Sequence, residues 1–178
     1  SIVKTRPKPG YQKIRAAVEE ALDLIGGIQD IIKPGDLVLI NPSWVAPPVE
    51  REAGCITIPE VSRAVADIVK EMGARPVIAE SSAIGVDSAK VIQQSGYRDL
   101  LEMGYEVIDL KAQKAHVDMA VDNGKVFESV ECWELVQQAD EIAAGCGGDP
   151  VGRLIYRDLD RASGPEERDR WLSLLGRT

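Results

Sequence analysis

Two groups of polar side chains stand where the sequence predicts that buried strands end. The first group follows the apolar run of residues 37–40 and contains Asn41, Ser43, Trp44 and Thr57. The second group closes the predicted strand of residues 75–80 and contains Glu80, Ser81 and Ser82. In an open parallel α/β sheet, ligands bind beyond the carboxyl ends of the strands, so we expect both groups to contribute to one site.

The strand-end carboxylate of Glu80 is suited to acid–base or metal chemistry. It could serve as a general base or a metal ligand, with Ser81 or Ser82 orienting a substrate. Asp109 is expected at the end of a third strand, where it would extend an acidic edge able to share a divalent ion. The structural alternatives are that the two serines cap a helix beginning near Asp87 and that Asp109 caps a turn.

The proline-rich run ends in a helix signal. Thr57 and Glu60 have the T-x-x-E spacing of a capping box, so we expect a helix to begin at Thr57. The free N–H groups of that helix end, together with Ser43 or Asn41, could hold a carboxylate or a phosphate. In the structural alternative, Thr57 only caps the helix and Trp44 packs as part of a lid.

The histidine and cysteine content predicts neither a metal site nor a disulfide framework. His116 is the only histidine, so a zinc site of the usual kind is not expected. The three cysteines, Cys55, Cys132 and Cys146, are odd in number and widely separated, which is typical of the reducing cytoplasm. We therefore predict a cytoplasmic protein, while the residue pattern identifies no cofactor and no catalytic residue.

Composition excludes several classes of partner. The net charge is −8 and only 4% of the residues are aromatic, which disfavours phosphate tracking and base stacking, so no nucleic-acid partner is expected. No apolar run approaches the roughly 18 residues that a membrane-spanning helix needs. Residues 1–10 also lack the apolar segment of a secretory signal.

Hydrophobic periodicity predicts an α/β domain. Apolar residues recur with helical spacing over residues 14–25 and 61–72, and continuous apolar strands are expected at residues 37–40, 75–80 and 105–110. This alternation predicts a three-layer fold with a mostly parallel sheet of about four strands and helices on both faces. Residues 117–121 and 125–130 predict a small β-hairpin around Asp122-Asn123-Gly124.

A change of composition predicts a boundary near residue 144. Residues 1–144 are expected to form the α/β domain, and residues 145–178 form a Gly/Arg-rich tail with a predicted terminal helix.

Three segments resemble a known family when taken in order. KPGDLVLINPSWV, TIPEVSRAVADIVKEMGARPVIAESSA and SGYRDLLEMGYEVIDL resemble the bacterial and archaeal proteins grouped as domain of unknown function family 362. The resemblance covers about residues 1–144. It implies an association with ferredoxin-like iron–sulfur modules and a remote similarity to lactate racemase. The chain departs from the family pattern at Asn41-Pro42-Ser43, where Lys-Pro-Asn is usual, after residue 142, and in lacking the ferredoxin cysteines.

Three hypotheses about function follow. The first is an uncharacterised α/β domain that binds a small molecule or an anion at the carboxyl edge of its strands. The second, implied by the resemblance, is half of an isomerase-, racemase-like or redox enzyme that needs a metal or a cofactor. The third is a structural or oligomerisation module that docks on a partner, or on a second copy to form a homodimer, through the apolar tail residues Trp171, Leu172, Leu174 and Leu175.

Overall fold

Four parallel strands form the central sheet, in the order β3-β2-β1-β6. These strands are β1 (Leu37–Pro42), β2 (Arg75–Glu80), β3 (Val107–Asp109) and β6 (Glu141–Gly145). The helices are α1 (Tyr11–Asp23), α2 (Pro59–Glu71), α3 (Ser88–Ser95), α4 (Tyr97–Glu102) and α5 (Glu134–Gln138). Strands β4 (His116–Ala120) and β5 (Ser129–Trp133) form a separate antiparallel pair. The computed structural model describes Val3, Thr5 and residues 9–47, 56–121 and 126–145.

The sheet is covered on both faces because successive residues of a strand point to opposite sides. Val38 and Ile40 of β1 belong to a large core with buried side chains of α1, α2, α3 and α4. Leu39 lies in a smaller core on the opposite face, with Val77 and side chains of α5 packed around it. The predicted α/β fold, with a mostly parallel sheet between helices and a small antiparallel pair, is therefore confirmed.

The direction of winding reverses at β1. From β1 the chain passes through α2 to β2 and through α3 and α4 to β3, always moving away from β1 on one side. It then returns through α5 to β6, which pairs with the other edge of β1. The carboxyl end of β1 is therefore the topological switch point, the position at which open α/β sheets bind ligands.

The element boundaries differ from the prediction in instructive ways. Strand β2 has the predicted bounds, whereas β1 continues two residues further, to Pro42. In the antiparallel pair, Ala120 is opposite Ser129, and the N–H of Val121 donates to the carbonyl of Glu128 at 2.9 Å. The second strand of the hairpin therefore lies further along the chain than predicted. No helix in the described part of the chain is long and apolar enough to cross a bilayer.

Gly96 joins α3 to α4 in the left-handed conformation, with φ of +89°. We expect Gly96→Ala to lower the free energy of unfolding by about 1–2 kcal/mol, because an L side chain is strained there. A new Cβ would meet only Pro59 Cγ, at 3.5 Å, so the loss would come from the backbone. Gly10→Ala is the control, since Gly10 has φ of −71° and no atom within 4 Å of a new Cβ. Equal urea midpoints for the two variants would contradict the prediction.

Candidate functional site

The long loop after β1 is fastened at its base. The N–H of Ser43 donates to Oγ1 of Thr57 at 3.0 Å, and the N–H of Thr57 donates to the carbonyl of Ser43 at 3.0 Å. Trp44 and Ile56 form an antiparallel bridge directly above this pair. The predicted site residues Ser43 and Thr57 are thus brought together, and they close the loop as a short ladder. Residues 48–55, including Cys55, lie outside the described residues.

Trp44 anchors this base in the core. Its side chain is 1% exposed and meets the ring of Tyr97 edge-on, with 5.0 Å between ring centroids and 69° between planes. The hydroxyl of Tyr97 donates to the carbonyl of Thr57 at 2.9 Å and lies 2.7 Å from Oγ of Ser62. Burial raises the pKa of Tyr97, although hydrogen bonding to Ser62 opposes the shift. Tyr97 is therefore a neutral phenol that holds the loop base to the helical layer.

The predicted capping box at Thr57 is wrong. Helix α2 begins at Pro59 with Ile58 as its N-cap, and no side chain caps it. Proline is favoured at the first helical position because its missing N–H would be unpaired there anyway. Thr57 therefore lies one residue before the N-cap, and its hydroxyl oxygen accepts from the N–H of Ser43. Glu60 stays in the first turn of α2, where a carboxylate matches the helix dipole.

A direct hydrogen bond joins the ends of β1 and β2. Nδ2 of Asn41 donates to Oε2 of Glu80 at 2.9 Å and to the carbonyl of Ala79 at 3.0 Å. The other carboxylate oxygen, Oε1, accepts from the N–H of Ser81 at 2.5 Å. Burial raises the pKa of Glu80, and the hydrogen bonds from Ser81 and Asn41 oppose that rise. The structure therefore brings Asn41, Glu80 and Ser81 together, as expected for two strand ends at one edge.

The segment after β2 is held by its own polar contacts. Oγ of Ser82 donates to Oγ of Ser88 at 3.0 Å, and both side chains are buried. Asp87, and not a serine, caps α3, because its carboxylate accepts from the N–H of Ala89 at 3.0 Å and from that of Lys90 at 3.3 Å. The buried hydrogen bond between Ser82 and Ser88 therefore holds the segment after β2 against the start of α3.

Lys111 is a residue of this edge that the sequence reasoning missed. Its Nζ donates to the carbonyls of Ala83 at 2.7 Å and Val86 at 3.0 Å, which ties the segment after β2 to the end of β3. Asp109 pairs with Glu80 in the sheet register, and its carboxylate accepts from the N–H of Lys111 at 3.0 Å in a short 3₁₀ turn. The turn-capping alternative for Asp109 is therefore correct. The only sequence signal was a lysine directly after the predicted strand of residues 105–110, which does not reveal the carbonyls that it contacts.

The other candidate ligands do not converge. Within the described residues, no group of three or more histidine, cysteine, aspartate or glutamate side chains could hold a metal ion. His116 is exposed, with Nδ1 3.2 Å from the carbonyl of Lys114 and its ring 5.9 Å from that of Trp133. Cys132 is partly buried and unbridged, while Cys146 lies outside the described residues. His116, Cys132 and the strand-end carboxylates therefore form no common metal centre in the described part of the chain.

The raised pKa of Glu80 predicts a pH-dependent component of stability. Because the folded carboxyl binds its proton more tightly than the unfolded chain does, this component is lost as pH rises from the ordinary value of 4.5 through the raised pKa. We expect Glu80→Gln to remove this loss and to increase the free energy of unfolding at neutral pH relative to the wild type. Urea unfolding from pH 4 to pH 8 measures the difference.

The control for this measurement is Glu131→Gln, which removes an exposed carboxylate of β5. It should leave the shape of the stability–pH curve unchanged. A Glu80→Gln variant that is less stable than the wild type at neutral pH would show that the ionised carboxylate stabilises the fold.

The two bonds from Lys111 predict a local effect on exchange. We expect Lys111→Met to speed hydrogen exchange at the N–H of Val86, which donates to the carbonyl of Ala83 at 3.0 Å, by about threefold to tenfold. Lys114→Met removes an exposed lysine of the same connection and serves as the control. Equal exchange at Val86 in both variants, measured by NMR, would refute a bracing role for Lys111.

Comparison with known proteins gives a family. The model of the family described as domain of unknown function (DUF362) matches residues 38–143, which begin in β1 and end in β6. The thylakoid-associated protein sll1697 of Synechocystis sp. is 38% identical to this chain over 90 residues. That match covers 49% of this chain and 26% of the relative, so the chain matches about a quarter of that protein's length. No solved structure matches the chain.

The matched residues contain all four strands of the parallel sheet in whole or in large part, together with the polar residues at the carboxyl ends of β1 and β2. The sequence resemblance is therefore confirmed, and the chain belongs to the DUF362 family, a family of unknown function.

Proposed function

We propose that this domain binds a small molecule at the carboxyl edge of its parallel sheet, centred on Asn41 and Glu80. The observation that carries the proposal is the hydrogen bond between these two side chains, which fixes the partly exposed carboxylate at the end of β2 beside the switch point at the end of β1. A carboxylate in that position can accept a hydrogen bond or a proton from a ligand.

The remaining predicted site residues have distinct parts in this proposal. Ser81 contacts the ligand together with Asn41 and Glu80, because its backbone already orients the carboxylate. Ser43 lies where the chain leaves β1 and contributes its hydroxyl from the fastened loop base. Trp44, Thr57 and Ser82 are buried, and they hold in place the segments that carry the contacting side chains.

The location and partners of the protein are part of the same proposal. We propose a cytoplasmic protein that acts without nucleic acid, which is supported by the cysteine spacing and the net charge of −8. The Synechocystis relative is named for association with thylakoids, so fractionation of cells that express the tagged chain should include the membrane pellet. A homodimer formed through the tail stays a prediction, because those residues lie outside the described part of the chain.

A fragment screen by NMR tests the binding proposal. In ¹⁵N-labelled protein, we expect small-molecule binders to shift the side-chain amide of Asn41 and the backbone amides of Ser81 and Ser82. Asn41→Leu preserves the approximate volume but removes the amide, so it should weaken such binding about fivefold or more.

Gln138→Leu is the matched control, since it removes an exposed side-chain amide of α5 that donates to Oε1 of Glu134 at 2.9 Å. It should leave binding unchanged. Binders that collect in the groove formed by Ala89, Ile92 and Arg98, with no shifts at Asn41 or Ser81, would contradict the proposal.

A further inference from the structure

The amide of Asn41 presents an acceptor to the site. Both protons of Nδ2 are used, one by the carbonyl of Ala79 at 3.0 Å and one by the carboxylate of Glu80 at 2.9 Å. Since each of these partners can only accept, the orientation of the amide is fixed by its hydrogen bonds. The group left for a ligand is Oδ1, which has two lone pairs and no proton.

Three backbone donors near these side chains are also in use. The N–H of Ser81 donates to the carboxylate of Glu80. Across the loop base, the N–H of Ser43 donates to Oγ1 of Thr57 and the N–H of Thr57 donates to the carbonyl of Ser43. A carboxylate or phosphate bound by these three groups would have to break hydrogen bonds that the folded chain already makes.

The start of α2 does not offer an anion site either. Pro59, at its first position, has no N–H, and the N–H of Val61 bonds to the carbonyl of Ile58 at 3.0 Å. The first turn also carries the carboxylate of Glu60. The expectation that this helix end binds an anion is thus weakened, because Pro59 and Val61 contribute no free donor and Glu60 adds a negative charge.

The charges at the strand ends are negative. Among the described residues, no lysine or arginine forms an ion pair with Glu80, and the neighbouring strand end carries Asp109. A basic group described at this edge, Nζ of Lys111, is held by two backbone carbonyls. Within the described residues, the carboxylate of Glu80 therefore has no basic partner.

We propose that the site takes its ligand by a positively charged, hydrogen-bond-donating group, a primary ammonium, and not by a carboxylate or a phosphate. The ammonium donates to a carboxylate oxygen of Glu80 and to Oδ1 of Asn41. This inference rests on the proposed binding function and names the chemical class of the ligand. The organic ammonium suits the site better than a metal ion because, within the described residues, no group of three or more acidic, histidine or cysteine side chains gathers there, and the carboxylate of Glu80 is already hydrogen-bonded twice.

Three salts at equal ionic strength test the inference in the chain of 178 residues. Methylammonium chloride, sodium acetate and magnesium chloride are titrated separately at neutral pH while the amide signals of Asn41, Ser81 and Ser82 are followed by NMR. We expect methylammonium to shift these signals saturably in the millimolar range and acetate to leave them unchanged. Glu80→Gln should weaken methylammonium binding about tenfold or more, whereas Glu131→Gln should not change it.

Two further measurements make the result decisive. Urea unfolding checks that the Glu80→Gln variant is folded. Glu80→Asp is titrated as a second variant, which keeps the negative charge on a shorter side chain, and we expect its affinity for methylammonium to be intermediate. Acetate shifting the signals, magnesium binding more tightly than methylammonium, or no salt shifting them would each overturn the inference. An acetate response would leave the binding function standing, whereas that function fails only if the fragment screen also yields no binder at this edge.

Discussion

Strand β1 is the constraint on which the rest of the structure depends. It is buried on both faces and paired along both edges, with β2 on one side and β6 on the other. Val38, Leu39 and Ile40 are each at most 4% exposed, and burying side chains of this size contributes about 1.5–3 kcal/mol apiece. The helices must cover both faces, and the polar chemistry can begin only where this apolar run stops, at Asn41.

The long loop after β1 combines a rigid base with a strand-end site. Its base is held by the Ser43–Thr57 ladder, and Trp44 lies in the core against Tyr97. A loop that is closed so near to the sheet loses less conformational entropy on ligand binding than a free one of the same length. Ser43, Trp44 and Thr57 therefore contribute mainly by fixing the position of Asn41.

The sequence predicted the sheet well because its strands are continuous apolar runs bounded by glycine and proline, as the agreement over β2 illustrates. The meeting of Asn41 and Glu80 was also predictable, since parallel strands end at one edge. The cap at Thr57 was mispredicted because two local signals compete, the T-x-x-E spacing of Thr57 and Glu60 and the proline at position 59. Pro59 decides where the helix begins, because its fixed φ suits the first helical position. The bracing by Lys111 was not predictable, because it depends on where two turn carbonyls point after the chain has folded.

Two partly buried carboxylates of this molecule show what is unusual about Glu80. Burial alone would raise the pKa of Asp67, but hydrogen bonds from Tyr105 and Tyr11 and the charge of Arg63 lower it overall. The pKa of Glu80 stays raised, because burial there outweighs the hydrogen bonds from Ser81 and Asn41, and no lysine or arginine of the described residues forms an ion pair with it. The difference between the two acids lies in their partners, since Asp67 has two phenols and a guanidinium whereas Glu80 has an amide and a backbone N–H. A carboxyl with a raised pKa at the carboxyl edge of a parallel sheet is a typical environment for acid–base or binding chemistry, and this is the physical ground for proposing Glu80 as a site residue.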